Sequence, residues 1–374
     1  MKNAILEVGA DGVVGAVRRM CTELLNKGIV DALLVPRELP SKENVVQSLV
    51  TSPESLDGVN PLAPVLPVTT ARIVSQMTKV DAGQKKIGVI GRSCEFRALV
   101  ELTKLKQANL ENITLIGIDC FGTYPVVKYQ EFTKASGITT EDFLKKAKEG
   151  KEDSDIRDAC QVCEYPHPLY ADIVIGLIGL DSEKEILLIA NTLRGEATLD
   201  ELELVEGSGC DQRERAIDQR VSARQKQRDE VLGQVQSDAH GLDNLSSIFS
   251  PCIGCHNCRD VCPVCYCKEC VFDSSTFEFE ADKYLDWASR KGGLRMPTDT
   301  LLFHLTRLNH MGTSCVGCGL CQEACPNGVP VFSIFRLVGS KMQEVFDYIP
   351  GRSLDDELPL TTFKEDELQQ VGYE

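Results

Sequence analysis

No stretch of this chain stays apolar long enough to cross a bilayer. Its longest apolar runs, such as Ala171 to Leu180, fall well short of the ~20 residues a membrane helix needs, so no membrane span is expected. Basic residues are in deficit: 40 Lys and Arg stand against 56 Asp and Glu, a net charge of −16. Phosphate backbones and anionic lipid surfaces repel such a chain, which argues against nucleic acid or membrane as partner. The opening MKNAILEVGADG has no charged start, apolar core or small-residue cleavage site of an export signal, so a cytoplasmic location is expected. Histidine is sparse at five. None of the five falls in an H-E-x-x-H or facial-triad spacing. No Ser–His–Asp or paired-carboxylate arrangement stands out either. His304 and His310, on one predicted helix, read as interface or surface residues.

Cysteine is what the chain has in excess, with 17. An odd number without an export signal points to a reducing compartment and metal ligation rather than disulfides. Eight of them fall in two copies of one spacing, C-x-x-C-x-x-C-x-x-x-C-P: Cys252, Cys255, Cys258 and Cys262 before Pro263, and Cys315, Cys318, Cys321 and Cys325 before Pro326. This is the ligand run of bacterial-type ferredoxins. Three thiolates at i, i+3 and i+6 on a tight loop reach three irons of one cubane, while the fourth faces away and ligates the other cluster. One [4Fe–4S] cluster is therefore assigned to Cys252, Cys255, Cys258 and Cys325, the other to Cys315, Cys318, Cys321 and Cys262. Pro263 and Pro326 end each loop and remove a backbone donor. Gly254, Gly317 and Gly319 leave room for N–H groups to point at sulfur. Structural zinc, the competing reading, requires neither the third cysteine nor the C-P ending. Cys265, Cys267 and Cys270 follow at once; one of them could replace Cys262, or the group could hold another metal, but the C-P context favours Cys262.

The chain is long enough for about two domains. Residues 1–236 read as an α/β domain. Lys86 to Gly91 and Ile113 to Cys120 are apolar runs of buried strands, and Cys94 to Lys106 between them reads as a helix, giving a βαβ unit. Asp172 to Leu180 and Glu185 to Ala190 read as further strands. Residues 211–236 are so charged that a long solvated helix is expected. Residues 237–250 read as a linker, 251–350 as an α-rich two-cluster module, and 351–374 as an acidic tail. Helical patterns at 279–291 and 298–310 make a long insertion between the cysteine motifs, and Val331 to Tyr348 reads as a helix. Cys21 reads as core, and Cys210 as part of a glycine-rich loop.

A third cysteine set lies in the α/β part. Cys94 follows one predicted strand, Cys120 ends another, and Cys160 and Cys163 form a C-x-x-C pair. Strand ends on one edge of a parallel sheet lie together, where open α/β folds place their sites. On spacing alone, a third four-thiolate site and a group of buried cysteines acting as small hydrophobes both remain open.

The segments Val89-Ile-Gly91-Arg-Ser-Cys94-Glu95-Phe-Arg97, Ile116-Gly-Ile-Asp-Cys120-Phe121-Gly122, and Cys160-x-x-Cys163 with Ala171-Asp172-Ile-Val-Ile-Gly176 resemble the beta subunits of coenzyme F420 hydrogenase and dehydrogenase. So do Gly9-Ala-Asp11-Gly12-Val-Val and Gly28-Ile-Val-Asp31-Ala. The resemblance covers most of residues 1–205. A two-cluster module after the α/β domain is the arrangement of the formate dehydrogenase branch. The resemblance implies FAD and one [4Fe–4S] cluster in the α/β domain, with Cys94, Cys120, Cys160 and Cys163 as ligands. Three clusters in all are then expected, with coenzyme F420 as the diffusible acceptor. It implies flavin contacts at Gly9, Asp11 and Gly12, at Gly91, Arg92 and Ser93, and at Arg97. Two features depart from the family: Val13 stands where a second glycine is common, and Asn60-Pro-Leu-Ala-Pro-Val-Leu-Pro replaces the usual flavin-contact segment. The implied partner is a molybdenum or tungsten formate dehydrogenase catalytic subunit. A flavin feeding NAD, a bifurcating complex with heterodisulfide reductase subunits, a hydrogenase subunit, and a flavin-free electron-transfer adaptor are the alternatives.

Overall fold

The computed structural model of the chain describes residues 2–148, 153–207, 210–277, 280–292 and 299–361. Its strands are β1 (Asn3–Glu7), β2 (Ala32–Glu38), β3 (Val45–Val50), β4 (Ile87–Arg92), β5 (Ile113–Ile118), β6 (Ile173–Gly176), β7 (Glu185–Ala190) and β8 (Val205–Glu206). They form one mixed sheet in the order β3-β2-β4-β5-β6-β7-β1-β8. The centre, from β2 through β4 and β5 to β6, is parallel, and the outer pairings are antiparallel. Every residue of β4, β5 and β6 is buried, the continuous apolar run expected of strands covered on both faces.

Side chains alternate between two cores. Leu33, Val35, Ile90, Ile116, Ile118 and Ile175 face one; Ala32, Leu34, Val89, Leu115 and Val174 face the other. The first core is closed by α1 (Gly12–Asn26), whose Val13, Val17, Met20, Cys21 and Leu24 form a helical stripe, and by residues of α4 (Val126–Ser136), α5 (Thr140–Lys148) and α7 (Leu193–Leu202). Cys21 is fully buried there, and burial pushes its thiol up to about 12. The second core is closed by α2 (Thr70–Thr78) and α3 (Ser93–Lys104) and continues into Phe249, Phe303, Val316 and Phe335 of the C-terminal module.

α6 (Asp158–Gln161) carries Cys160, and α8 (Cys210–Asp238) follows the sheet. Cys210 therefore opens a helix rather than sitting in a loop. α8 is not simply a solvated rod, since Arg213, Ile217, Arg224 and Leu232 are buried. The expected linker is largely helical: α9 (Leu242–Phe249) ends on buried Phe249, whose ring stacks on His304 with centroids 4.1 Å apart. The module continues with α10 (Asn257–Asp260), α11 (Ala281–Lys291), α12 (Thr300–Met311), α13 (Leu320–Glu323) and α14 (Val331–Val345). Positions 279 and 298 of the predicted helices, and 362–374 of the tail, lie outside the described residues. The start of the tail is docked, because the Gly351 amide donates to Glu101 Oε1 at 2.8 Å.

Candidate iron–sulfur sites

The parallel strands point their carboxyl ends at one edge, and the α/β cysteines gather there. Cys94 sits in the first turn of α3 after β4, and Cys120 lies two residues beyond β5. The Cys120 amide donates to the Pro166 carbonyl at 2.7 Å, which ties the strand end to the loop after α6. Cys94, Cys120, Cys160 and Cys163 line a single cavity together with Arg92, Ser93, Thr123, Arg157 and Cys318. Burial raises the Cys94 and Cys120 thiols. At Cys160 burial acts in the same direction, but the Arg157 guanidinium and the Thr123 hydroxyl outweigh it and pull the thiol down. Arg157 Nη2 lies 3.7 Å from Cys160 Sγ. Its Nε and Nη1 are buried with no hydrogen-bond partner. A cavity walled by four thiols, with unpaired guanidinium donors at its rim, fits an anionic metal–sulfur group.

Cys252, Cys255, Cys258 and Cys325 line a second cavity. The Gly254 amide donates to Cys252 Sγ and the Val329 amide to Cys325 Sγ, both at 3.4 Å. Gly254 has φ +66°, a conformation that a side chain would strain and that aims the amide at sulfur. Two side chains of α12 reach the sulfurs of this set. Arg307 Nη1 donates to Cys258 Sγ and Nη2 to the Cys258 carbonyl, each at 3.0 Å. His304 Nε2 lies 3.4 Å from Cys252 Sγ. His304 is buried rather than at the surface or an interface, and burial pushes its imidazole down to about 4. His310, six residues on, is exposed.

Cys315, Cys318 and Cys321 are buried enough that their thiols are raised, Cys318 to about 12, and Cys262 reinforces the shift at each. Cys265 is partly buried beside Cys262, and Cys267 is exposed. Among the described residues no three His, Cys, Asp or Glu side chains are grouped as a single-ion site.

The module is docked so that its second thiol set, Cys262 with Cys315, Cys318 and Cys321, meets the α/β set. Gly317 and Cys318 line the α/β cavity. A Cβ at Gly319 would collide with the Ala159 side chain. Gln322 Nε2 donates to Asp158 Oδ2 at 2.9 Å, and Arg336 of α14 pairs with Glu164, which also pairs with Arg228 of α8. Arg97, expected at a flavin, is buried here: its Nε donates to the Pro350 carbonyl at 2.9 Å and its Nη1 to the Val316 carbonyl at 3.1 Å, with the guanidinium over the Tyr165 ring.

The other expected flavin contacts fall in two places. Arg92 and Ser93 line the α/β thiol cavity, and Gly91 packs where a Cβ would meet the Phe96 ring at 2.8 Å. Asp11, paired with Arg19, lines a separate cavity of about 460 Å³ with Gly15, Arg18 and Asn60; Gly12 (φ +72°) and Gly9 flank it. Asn60 is buried; its Nδ2 donates to Glu38 Oε1 at 2.6 Å and Thr140 Oγ1 at 2.7 Å, while its Oδ1 has no donor. The segment from Asn60 reaches the thiol cavity, because Arg92 Nη2 donates to the Ala63 carbonyl at 2.5 Å and the Tyr124 amide to the Pro64 carbonyl at 2.8 Å. Sequence reasoning missed Arg157 and Arg307, and read His304 as an interface or surface residue. The available signals were the spacing of Arg157 three residues before Cys160 and the i, i+3 pair on α12.

A sheet edge and a ferredoxin-type module that together wall off buried thiol sets define an iron–sulfur electron-transfer protein that serves an oxidoreductase. A model of the C terminus of the coenzyme F420 hydrogenase/dehydrogenase beta subunit matches residues 84–206, and one of a 4Fe-4S dicluster domain matches residues 248–329. The chain is 31% identical over 386 residues to the F420-dependent formate dehydrogenase 1 subunit beta of Methanococcus maripaludis, covering 95% of this chain and 94% of that one. It is 25% identical over 395 residues to the F420-dependent formate dehydrogenase subunit beta of Methanocaldococcus jannaschii, covering 96% and 98%. A chain of the F420-reducing [NiFe] hydrogenase complex from Methanosarcina barkeri superposes with a TM-score of 0.46 at 13% identity, covering 65% of this chain and 94% of that one. The chain belongs to the coenzyme F420 hydrogenase/dehydrogenase beta-subunit family. Among the described residues no helix is long and apolar enough to cross a membrane.

Proposed function

We propose that the chain is the electron-relay subunit of a cytoplasmic formate dehydrogenase. Three [4Fe–4S] clusters join a catalytic subunit, which carries the molybdenum or tungsten centre, to FAD, and FAD exchanges hydride with coenzyme F420. The observation that carries this reading is the continuity of the thiol sets. Arg307 bonds to Cys258 of the outer set, and its charge is sustained against burial by Cys258 and by Cys262 and Cys321 of the middle set. Cys318 of the middle set lines the cavity of the α/β set. The order from the surface inward is therefore Cys252/Cys255/Cys258/Cys325, then Cys262/Cys315/Cys318/Cys321, then Cys94/Cys120/Cys160/Cys163. Cys255 is exposed, so the outer site offers its edge to a partner's donor.

FAD is assigned to the cavity beside the Gly9–Gly12 loop. Its volume lies in the ~300–1,000 Å³ range of small-molecule sites. The unpaired Asn60 Oδ1 is an acceptor waiting for a ligand N–H or O–H, and Arg18 supplies a cation. Bound there, FAD supplies a centre that takes two electrons as hydride and passes them on one at a time. The residues of this chain orient it, keep water from the thiol sites and set potentials by N–H···S bonds and buried charge. Electron flow in either direction uses the same path.

Anaerobically purified protein is expected to hold about twelve irons, four per cluster, and one flavin. F420 should reoxidise the reduced protein, and NAD should not. N60L should lose flavin and keep its iron. A full iron content without flavin would make the chain an adaptor. Reoxidation by NAD would replace F420 as acceptor, and co-purification with heterodisulfide reductase subunits alone would replace the formate partner. Eight irons or fewer would overturn the three-cluster relay.

A further inference from the structure

Two buried arginines stand in the two gaps between successive thiol sets. Arg307 occupies the gap between the outer and middle sets. It is 3% exposed, bonds to Cys258 Sγ, and is flanked by the Phe303 and Phe335 rings at 5.4 and 4.8 Å. Arg157 occupies the gap between the middle and α/β sets. It is 4% exposed and lines a cavity together with Cys160, Cys94 and Cys318.

Neither has a carboxylate ion-pair partner among the described residues, and both keep buried nitrogens without hydrogen-bond partners: Nε of Arg307, and Nε and Nη1 of Arg157. Arg336, near the middle set, is paired with Glu164, and Arg97, although it too keeps a buried Nη2 without a partner, is held by two backbone carbonyls and the Tyr165 ring and hydrogen-bonds no thiol. Burying an uncompensated guanidinium costs several kcal/mol. At Arg307 the counter-charge must therefore come from the metal–thiolate groups, and at Arg157 the thiolates of Cys160, Cys94 and Cys318 outweigh the smaller share of Glu323. Consistently, the charge of each arginine is sustained by cysteines from both of its neighbouring sets.

Resting on the cluster sites proposed above, we propose that Arg307 and Arg157 are positioning residues for electrons. Each raises the potentials of both clusters it separates, so that neighbouring sites stay level. A one-electron hop oxidises one site and reduces the next by the same electron, with no bond made and no proton moved. The receiving site gains one negative charge, and a cation between two sites stabilises the electron on either side. The middle set, flanked by both arginines, responds to both. One charge held between two sites is expected to shift each reduction equilibrium about tenfold, or ~59 mV for a one-electron couple.

The test is an EPR-monitored redox titration of the holoprotein, with each signal assigned by a single ligand variant (C255S, C315S, C163S). R307Q is expected to lower the outer and middle potentials about tenfold in equilibrium and leave the α/β potential in place. R157Q should lower the middle and α/β potentials and leave the outer one in place. R307K and R157K, which keep the charge, should stay near the parent values even where a glutamine variant binds its clusters poorly. Potentials unmoved in fully loaded variants, a uniform drop of all three, or lysine variants shifted as far as glutamine ones would each overturn the assignment. An iron count below three clusters in the parent protein would instead remove the cluster reading on which it rests.

Discussion

Arg213 clasps Asp119 through two nitrogens, Nε at 2.9 Å and Nη2 at 2.5 Å, across 94 residues of sequence. The clasp ties the first turn of α8 to the end of β5, one residue before Cys120. Asp119 Oδ2 also accepts the Leu177 amide at 2.9 Å and the Ile178 amide at 3.1 Å. One buried carboxylate thus fixes a helix, a strand end and the loop after β6.

Because the pair is buried, removing one member leaves a charge without its partner. R213M should destabilise the folded protein by ~3–5 kcal/mol, and D119N by a similar amount. The double variant should cost less than the sum of the two. Denaturant midpoints of the three proteins check this, and strict additivity would contradict the clasp.

Gly319 has φ +73° and faces Ala159 across the docking seam. G319A adds a left-handed residue, at ~1–2 kcal/mol, and a collision with the Ala159 methyl. A159G in the same chain should relieve the collision and leave only the backbone cost. Thermal midpoints should therefore rise from G319A to the double variant without reaching the parent.

Burial, helped by Arg213, holds the His167 imidazole below the ordinary histidine range, against the opposing pull of Asp119 and Asp218. The folded value lies below the unfolded one. The contribution to stability is therefore intact above the unfolded pKa of ~6.5 and is lost as pH falls below it, where the unfolded chain takes up the proton first. The drop in thermal midpoint between pH 7.5 and 5.5 should be smaller in H167Q than in the parent. An equal drop would remove His167 from the acid response.

Cys262 and Cys265 are two of the candidate fourth ligands of the middle set. C262S should lose about a third of the bound iron, one cluster of three, whereas C265S should keep it. The reverse result would move the ligand role to Cys265.

The sequence was most legible where one residue type carries one job. The cysteine spacing already grouped the outer thiols as the structure places them, and the apolar runs located β4, β5, β6 and β7 to within a few residues. The all-apolar run from Ile87 allowed little but a buried strand, and β7 matched from Glu185 to Ala190. What stayed hidden was the work of charged residues. Residues 211–236 look uniformly hydrophilic, and no periodicity reveals that Arg213 and Arg224 turn inward to Asp119 and to the Phe121 carbonyl. Arg97 looked like an anion ligand because a cation near a glycine turn is ambiguous until its partners are known. Those partners are carbonyls 219 and 253 residues away. His304 was misjudged for a related reason, since nothing in its helix tells that Phe249 stacks on it.

Cys325 lies with the first motif's thiols, and Cys262 is the neighbour of the second motif's. This exchange of fourth cysteines bears on how the protein is made. If each set takes up the cluster proposed for it, the α/β set is complete in the nascent chain once Cys163 has emerged. The outer set cannot close before Cys325 of the second motif is synthesised, and the middle set, which borrows Cys262 from the first motif, waits for Cys321. Iron loading would then follow two schedules, one early and independent, the other late and joint. A chain cut short anywhere between the motifs would hold a quarter-open outer site and no middle site at all.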